Sequence, residues 1–523
     1  MLSDQNLSLI AWLFEENRAP AILLYPPYPP HPAIRIRSKI GGRPSLPAAY
    51  PWPIGKLRGK PTPLHFLAQI DCAELPRFGH GLPATGVLFF FACDMDQAWD
   101  AETPTDDACV LYVEKMPLDV TDREPPADLT PIREAYASNG KIVAHGCLPG
   151  EAGPKIHVEW PLMARKVDSW PSAGAFEDIG NNLERAFPGR ALSAREVLSF
   201  TGDNERKYHA AARLNREIAE AYNERVRLKR FEAFVAATGI TSDSSSYDLP
   251  GSQDTSQYRE PWAADGVRFP QLGIMIERLA RHAIKDALSR RKSPASDLRK
   301  HHEVRTRTTA GAANGWIERA RQAITGVFSE KEELPDRNLR PDDSREHQET
   351  QIRAIIDAAN GWIARAREIG SLGQPSEADV DAFNTWLADV HGKRGAGPWG
   401  PQRSGLNLDT DTLVRAALID TVNALASSAP EKFPARYYEA LERDFTPFWS
   451  GGKKLQQHQT LGHVPSSQNV RAIDDPTICL LQLSSDSARH MGFGDAGECT
   501  FWIKGADLAA RRFDRAWATI EGG

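Results

Sequence analysis

Cysteine is scarce in this chain of 523 residues. There are six (Cys72, Cys93, Cys109, Cys147, Cys479 and Cys499), and no two have C-x-x-C spacing. That excludes a cysteine-type zinc site and argues against a disulfide scaffold, which fits a reducing compartment. Long apolar runs are also missing. The run Leu7–Phe14 follows Asp4 and precedes Glu15-Glu16, without the basic region that opens a signal peptide. No stretch approaches the ~20 apolar residues that span a bilayer, so the reading predicts a soluble, cytoplasmic protein with no membrane partner. Excess charge of one sign is absent as well. A net charge of −6 excludes a chain that binds polyanions through its overall field.

The usual chemical signatures are lacking too. No phosphate-binding G-x-x-x-x-G-K-[ST], dinucleotide G-x-G-x-x-G, nucleophile elbow G-x-S-x-G or metalloprotease H-E-x-x-H occurs. His458 and His463 are five apart, which matches neither a helix face nor a strand face, and no third ligand is evident. Asp94, Asp96 and Asp100 lack the ligand ladder of a calcium loop. The expectation is no metal and no cofactor.

What is present divides the chain in three. Residues 1–172 carry short apolar runs punctuated by Gly and Pro, as sheet-rich chains do. Residues 173–454 change to helical periodicity, as in Tyr208–Phe234, Leu272–Leu288 and Thr412–Ala426. Residues 455–523 return to strand text and end in a helix at Ala506–Ile520. Within the middle, Ala312–Arg321 recurs as Ala358–Arg367, which places Trp316 and Trp362 at equivalent positions 46 residues apart. Two copies fall short of a solenoid, so the expectation is a duplicated helix with both Trp rings packed inward. The basic stretch Arg278–Arg307 lacks the interleaved aromatics that stack bases, so nucleic acid is not the expected partner.

The two strand-rich ends echo each other. Leu67-Ala68-Gln69-Ile70-Asp71 precedes Gly86-Val87-Leu88-Phe89-Phe90; Leu480-Leu481-Gln482-Leu483 with Asp486 precedes Gly497-Glu498-Cys499-Thr500-Phe501. A Gln inside an apolar strand is costly unless its amide is hydrogen-bonded. The matched contexts therefore suggest either paired backbone clamps or a shared polar pocket. Before the first echo lies "SKIGGRPSLPAAYPWP", with two glycines, four prolines, Tyr50 and Trp52 in sixteen positions. It reads as a stiff element outside regular structure.

Gly41-Gly42-x-Pro44-x-Leu46-Pro47, Trp52-Pro53, Phe66–Asp71 and Gly86-x-Leu88-x-Phe90 together resemble the opening of the YwqG-like family, a bacterial domain of unknown function. Leu461-Gly462, Leu480–Leu483 with Asp486, Gly494-Asp495-Ala496-Gly497, and Asp507-Leu508 with Phe513 resemble its close. Phe493 stands where members often carry Trp. The resemblance covers roughly 30–172 and 455–523, and implies one discontinuous α+β domain of mixed sheet, interrupted by an all-α insertion. The family has no established activity, so no catalytic role carries over. In its light the Gly/Pro stretch is a fixed part of a sheet domain, with Trp52 laid on the sheet or lining a cleft.

Two functions remain open at this point. One is a non-catalytic module that binds a partner protein, a class that includes immunity-like roles. The other is a small-ligand binder or enzyme using a Gln/Asp cluster beside a Pro/Trp-lined cleft. The candidate binding residues are Gly41, Gly42, Pro44, Trp52, Gln69, Asp71, Gln482, Asp486, Gly494 and Asp495.

Overall fold

In the computed structural model, residues 15–27, 37–57, 60–93, 107–132, 147–148, 151–169, 269–292, 341–391, 394–397, 400–403, 410–426, 428–434, 437, 441, 458–464, 475–486, 489, 491–494 and 497–521 are described. They form two compact units, one from residues 1–264 with 422–523 and one from 265–421. The first contains strands from both ends of the chain.

Its strands are, in order, β1 (Ala19–Tyr25), β2 (Lys39–Ile40), the hairpin β3 (Ile54–Leu57) and β4 (Lys60–Pro63), β5 (His65–Asp71), β6 (Val87–Ala92), β7 (Ala108–Val113), β8 (Trp160–Pro161) and β9 (Met163–Ser169). The middle unit contributes helices α1 (Gly273–Lys292), α2 (Pro341–Ile369), α3 (Glu377–His391) and α4 (Thr410–Leu425), and a short hairpin of β10 (Arg394–Gly397) and β11 (Gly400–Arg403). That hairpin is one departure from an all-helical insertion. The chain then supplies β12 (His458–Thr460), β13 (Thr477–Ser484), β14 (Glu498–Lys504), the short helix α5 (Gly505–Ala509) and β15 (Trp517–Glu521).

A six-stranded sheet has the order β15-β14-β13-β12-β1-β9, and a five-stranded sheet the order β7-β6-β5-β2-β8. Strand β1, from the start of the chain, is hydrogen-bonded on one side to β9, after which the chain departs, and on the other to β12, where it returns. Ser169 lies opposite Ala19 and His458 opposite Leu24. Exit and re-entry are therefore about five residues apart along β1 and two strand spacings apart across it, roughly 20 Å in all. Beyond them, the Ser169 hydroxyl accepts a bond from the His463 N–H at 2.9 Å. The α+β domain is thus built from N- and C-terminal segments, with the helices at 273–391 lying between them in sequence.

The two large sheets face each other. Phe90 on β6 and Phe501 on β14 meet edge to face at 5.1 Å, and the Arg489 guanidinium lies 4.7 Å over the Trp160 ring. Strand β6 reads VLFFFA and is buried throughout, as aromatic and β-branched strands are when both faces are covered.

The echo between the chain ends is a structural repeat. Both β5 and β13 carry a bulge two residues before the Gln, between Phe66 and Ala68 and between Cys479 and Leu481. Phe90 lies opposite Ala68, and Phe501 opposite Leu481. The short strand that pairs with each Gln ends in two residues of positive φ: Gly41 (63°) and Gly42 (73°) after β2, Leu461 (65°) and Gly462 (62°) after β12. Left-handed backbone is nearly free for glycine and costs other residues about 1 kcal/mol or more. Gly41 is further constrained, since a Cβ there would sit inside the Val158 carbonyl.

In the middle unit, Ala287 and Ile352 join α1 to α2, while Ala283, Val390 and Leu413 form a second contact with Trp386. Ser376 caps α3: its hydroxyl accepts from the Asp379 N–H at 3.2 Å, and the Asp379 carboxylate accepts from the Ser376 N–H at 3.2 Å. Hydrogen bonds from Arg365 and Ser376 hold the Asp379 carboxyl well below the usual carboxylate range. Ile363 and Ala366 are buried, but Trp362 is only half-buried, against Phe383 at 5.0 Å. The expected inward packing of the ring is thus incomplete, because Phe383 occupies the core position beside it. Trp316, Asp94, Asp96, Asp100, Tyr208–Phe234 and His301-His302 lie outside the described residues. Among the described residues, no helix is long and apolar enough to cross a membrane.

Candidate functional site

Cross-strand neighbours share a face, so Gln69 and Asp71 on β5 lie with Phe89 and Val87 on the side of their sheet away from Phe90. That outer face is covered by the Gly/Pro stretch. Leu46 and Trp52 pack with Phe66, Phe89 and Phe91, and the Trp52 indole donates to the Leu64 carbonyl at 2.9 Å. Gln69 staples the cover in place. Its amide oxygen accepts from Ser45 N–H at 2.9 Å, and its amide nitrogen donates to the Arg37 carbonyl at 2.8 Å. Gly41 and Gly42 donate to the carbonyls of Leu67 (2.7 Å) and His157 (2.9 Å). Pro44 accepts from Arg123 N–H at 2.8 Å. Asp71 caps the following 3-10 turn through Ala73 N–H at 2.9 Å, with Arg37 3.8 Å away.

Beside this staple runs an ionic chain. The Ser45 hydroxyl donates to Asp122 at 2.7 Å, and the nearly buried Lys39 ammonium donates to Asp122 and Glu159, each at 2.9 Å. It links the stretch to two later loops, 120–124 and 155–159, in which sequence reasoning singled out no residue.

Gln69→Leu keeps the volume and strands two backbone groups, so it should destabilise the sandwich by roughly 1–3 kcal/mol. Chemical denaturation checks this, and unchanged stability would mean that the staple is dispensable.

In the second half, Gln482 pairs with Gln459 on one side and Thr500 on the other, and Thr500 pairs with Thr519. The Gln482 amide donates to the Thr500 hydroxyl at 3.3 Å. One step along, Ser484, Glu498 and Glu521 form a parallel row. The counterparts of Thr500, Thr519, Glu498 and Glu521 in the first half, Phe89, Leu111, Val87 and Val113, are apolar, while Gln482 and Ser484 answer to Gln69 and Asp71. The polar rows are therefore particular to the second half. Their alternation with Cys499, Phe501 and Ile520 was a readable signal.

Asp486 lies near the end of the sandwich core. It forms a fully buried ion pair with Arg489, both side chains being 1% exposed. His458, on the inner face of β12 rather than in a loop, accepts from Ser484 N–H at 3.3 Å. Burial lowers its pKa to about 4, with Arg489 adding to the effect and Asp486 opposing it. The folded value lies below the unfolded ~6.5, so the unfolded chain binds more protons between them. Stability should fall by about 2 kcal/mol as pH drops from 7.5 to 5. His458→Gln should remove that part of the slope, and denaturation at the two pH values measures it. Gly494 has φ of 48° in the turn after Phe493, and Asp495 lies outside the described residues.

The structure thus separates the candidates. Gln69 and Asp71 sit on one sheet, Gln482 on the other, and Asp486 lies in the core. Burial raises the thiol pKa of Cys72 to about 12 and of Cys109 to about 11, and pushes Cys479 and Cys499 higher still. These four are protonated at neutral pH, unlike nucleophilic cysteines. Among the described residues, no group of three or more His, Cys, Asp or Glu is placed to hold a metal ion.

One concave feature adjoins the stapled stretch. A shallow cleft with about 10 Å³ of free interior is lined by the buried Trp52, Phe66 and Leu129, by Pro44, Pro125 and Ile156, and by Arg43 and Lys155.

A two-sheet sandwich with an internal repeat, split in sequence by a helical unit, is the class of protein these features define. The chain belongs to the family described as a domain of unknown function, DUF1963. The family model matches residues 38–238 and 405–521, more than half of the chain and in two pieces. No curated protein matches it.

Proposed function

We propose that the protein is a non-catalytic binding module, a bacterial cytoplasmic protein of the YwqG-like group that captures a segment of a partner protein at the cleft beside Trp52. The observation that carries this reading is the size and lining of that cleft. Its free interior is only about 10 Å³, far below the roughly 300–1,000 Å³ of most small-molecule sites. A shallow depression lined by aliphatic, proline and aromatic residues suits surface contact with another protein more than enclosure of a ligand. The neighbouring polar groups of Gln69, Asp71 and Gly41-Gly42 are engaged with the chain's own backbone. A partner-neutralising, immunity-like role belongs to this class. The middle segment, 173–454, would offer a second surface.

The small-ligand reading has less support, because Gln69 and Gln482 stand in separate sheets. Affinity capture from the native host, with wild type and Ile156→Asp side by side, tests the proposal. We expect a protein that the wild type recovers, the variant loses at unchanged melting temperature, and that rebinds in purified form. A metabolite extract that raises the melting temperature of both, with no protein dependent on Ile156, would replace this reading with the ligand one.

A further inference from the structure

The loop between β5 and β6 hangs on one histidine. The Leu82 N–H donates to Nδ1 of His80 at 3.1 Å, and Nε2 of the same ring meets the Pro76 carbonyl at 3.1 Å. A carbonyl only accepts and a backbone N–H only donates, so Nε2 carries the proton and Nδ1 is bare. Only the neutral ring can make both bonds. Gly79 and Gly81, on either side, have φ of 79° and 75°, left-handed values at which glycine turns at little cost.

Cations surround this ring. Arg77 donates to the carbonyls of Cys72 (2.8 Å), Pro83 (2.9 Å) and Ala84. Lys166 of β9 lies 5.1 Å over the Phe78 ring, which meets His80 edge to face at 4.9 Å. Arg511, just after α5, donates to the Gly81 carbonyl at 2.8 Å. The carboxylates at the root of the loop are engaged elsewhere, Asp71 with Ala73 and Arg37, and Glu74 with the N–H groups of Arg37 and Ser38. Burial lowers the His80 pKa, the Pro76 carbonyl opposes that, and Arg77 adds to it. The loop lies against α5, where a Cβ on Gly81 would touch Leu508, and both Leu82 and Cys72 are buried. Burial and Asp71 raise the Cys72 thiol pKa while Arg77 and Arg511 oppose them, which sets the thiol near both arginines.

We infer that residues 76–84 form a proton-operated flap: a proton taken up at Nδ1 of His80 ends the bond from Leu82, and the loop swings out on Gly79 and Gly81 to uncover Cys72. The imidazolium then stands among Arg77, Lys166 and Arg511, so like charge adds to the lost bond. The flap is shut above the ordinary histidine pKa of ~6.5 and opens as pH falls through the lower folded value.

The test treats the full chain with 4,4′-dithiodipyridine, which reacts with thiols in acid, at pH 7.5 and at pH 5, and locates the label by mass spectrometry. Labelling of Cys72 relative to the half-buried Cys147 should rise about fivefold at pH 5, while the buried Cys479 and Cys499 stay unlabelled. His80→Gln keeps an acceptor for Leu82 and a donor for Pro76 but takes up no proton, so its ratio should not move with pH. His80→Ala should show the raised ratio at both values. Hydrogen exchange at the Leu82 amide, compared between wild type and His80→Gln at pH 5, reads the same opening without thiol chemistry and should be faster in the wild type. The inference is overturned if the wild type shows no rise, if His80→Gln rises as the wild type does, or if the two exchange equally. It also fails if Cys479 and Cys499 are labelled together with Cys72, since that is unfolding of the whole sandwich.

Discussion

Asp486→Ala should destabilise the sandwich by about 3–5 kcal/mol, the range for breaking a buried ion pair from one side. Asp486 and Arg489 are each 1% exposed, and the guanidinium is stacked over the buried Trp160. Removing the carboxylate takes an anionic acceptor from a cation in a medium that solvates it poorly, and that dominates over the lost contact itself. Adding Arg489→Met to the variant should therefore recover a large part of the loss, since the buried charge goes and an aliphatic chain still packs on Trp160. Urea denaturation of the wild type, the single variant and the double variant gives both numbers. A single-variant loss below about 1 kcal/mol would show that water reaches the pair.

Phe90→Ala should cost a similar 3–5 kcal/mol, from lost burial together with the cavity left behind. Phe90 and Phe501 occupy corresponding places in the two halves and touch each other across the core. The double variant Phe90→Ala/Phe501→Ala should fall short of additivity by about 0.5–1.5 kcal/mol, the worth of an edge-to-face pair beyond its area. Strict additivity would mean that the sheets are not in register at these rings.

Much of the fold was legible in short-range pattern. The runs around Gln69 and Gln482 are β5 and β13, and the glycine-opened aromatic runs after them are β6 and β14. The break into helical periodicity and the return to strands marked a domain assembled from both ends of the chain, which the split family match shows independently. Thr412–Ala426 lies almost wholly within a helix, but Ala506–Ile520 does not. Only Gly505–Ala509 is α-helical there, a single 3-10 turn follows at Phe513–Arg515, and Trp517–Glu521 is an edge strand. Its Trp517, Thr519 and Glu521 alternate with Ala518 and Ile520, a two-residue period easily mistaken for part of a helical one in so short a run.

The sequence by itself determined the punctuation, the strands around the two glutamines and the stiffness of the Gly/Pro stretch, because these depend on φ preferences and on neighbours two to four residues away. It also marked Gln69 and Gln482 as amides in need of partners. Which partners they found was settled only by tertiary structure. Gln69 bonds Arg37 and Ser45, 32 and 24 residues away, and Lys39 reaches across to Asp122 and Glu159. The separation of the two glutamines onto different sheets was equally out of reach. Equivalent motifs carry no record of which sheet each will join, since that depends on hydrogen bonds between strands far apart in the chain. The cleft belongs to the same category, for its floor and walls come from four segments that meet only when the sheet is covered.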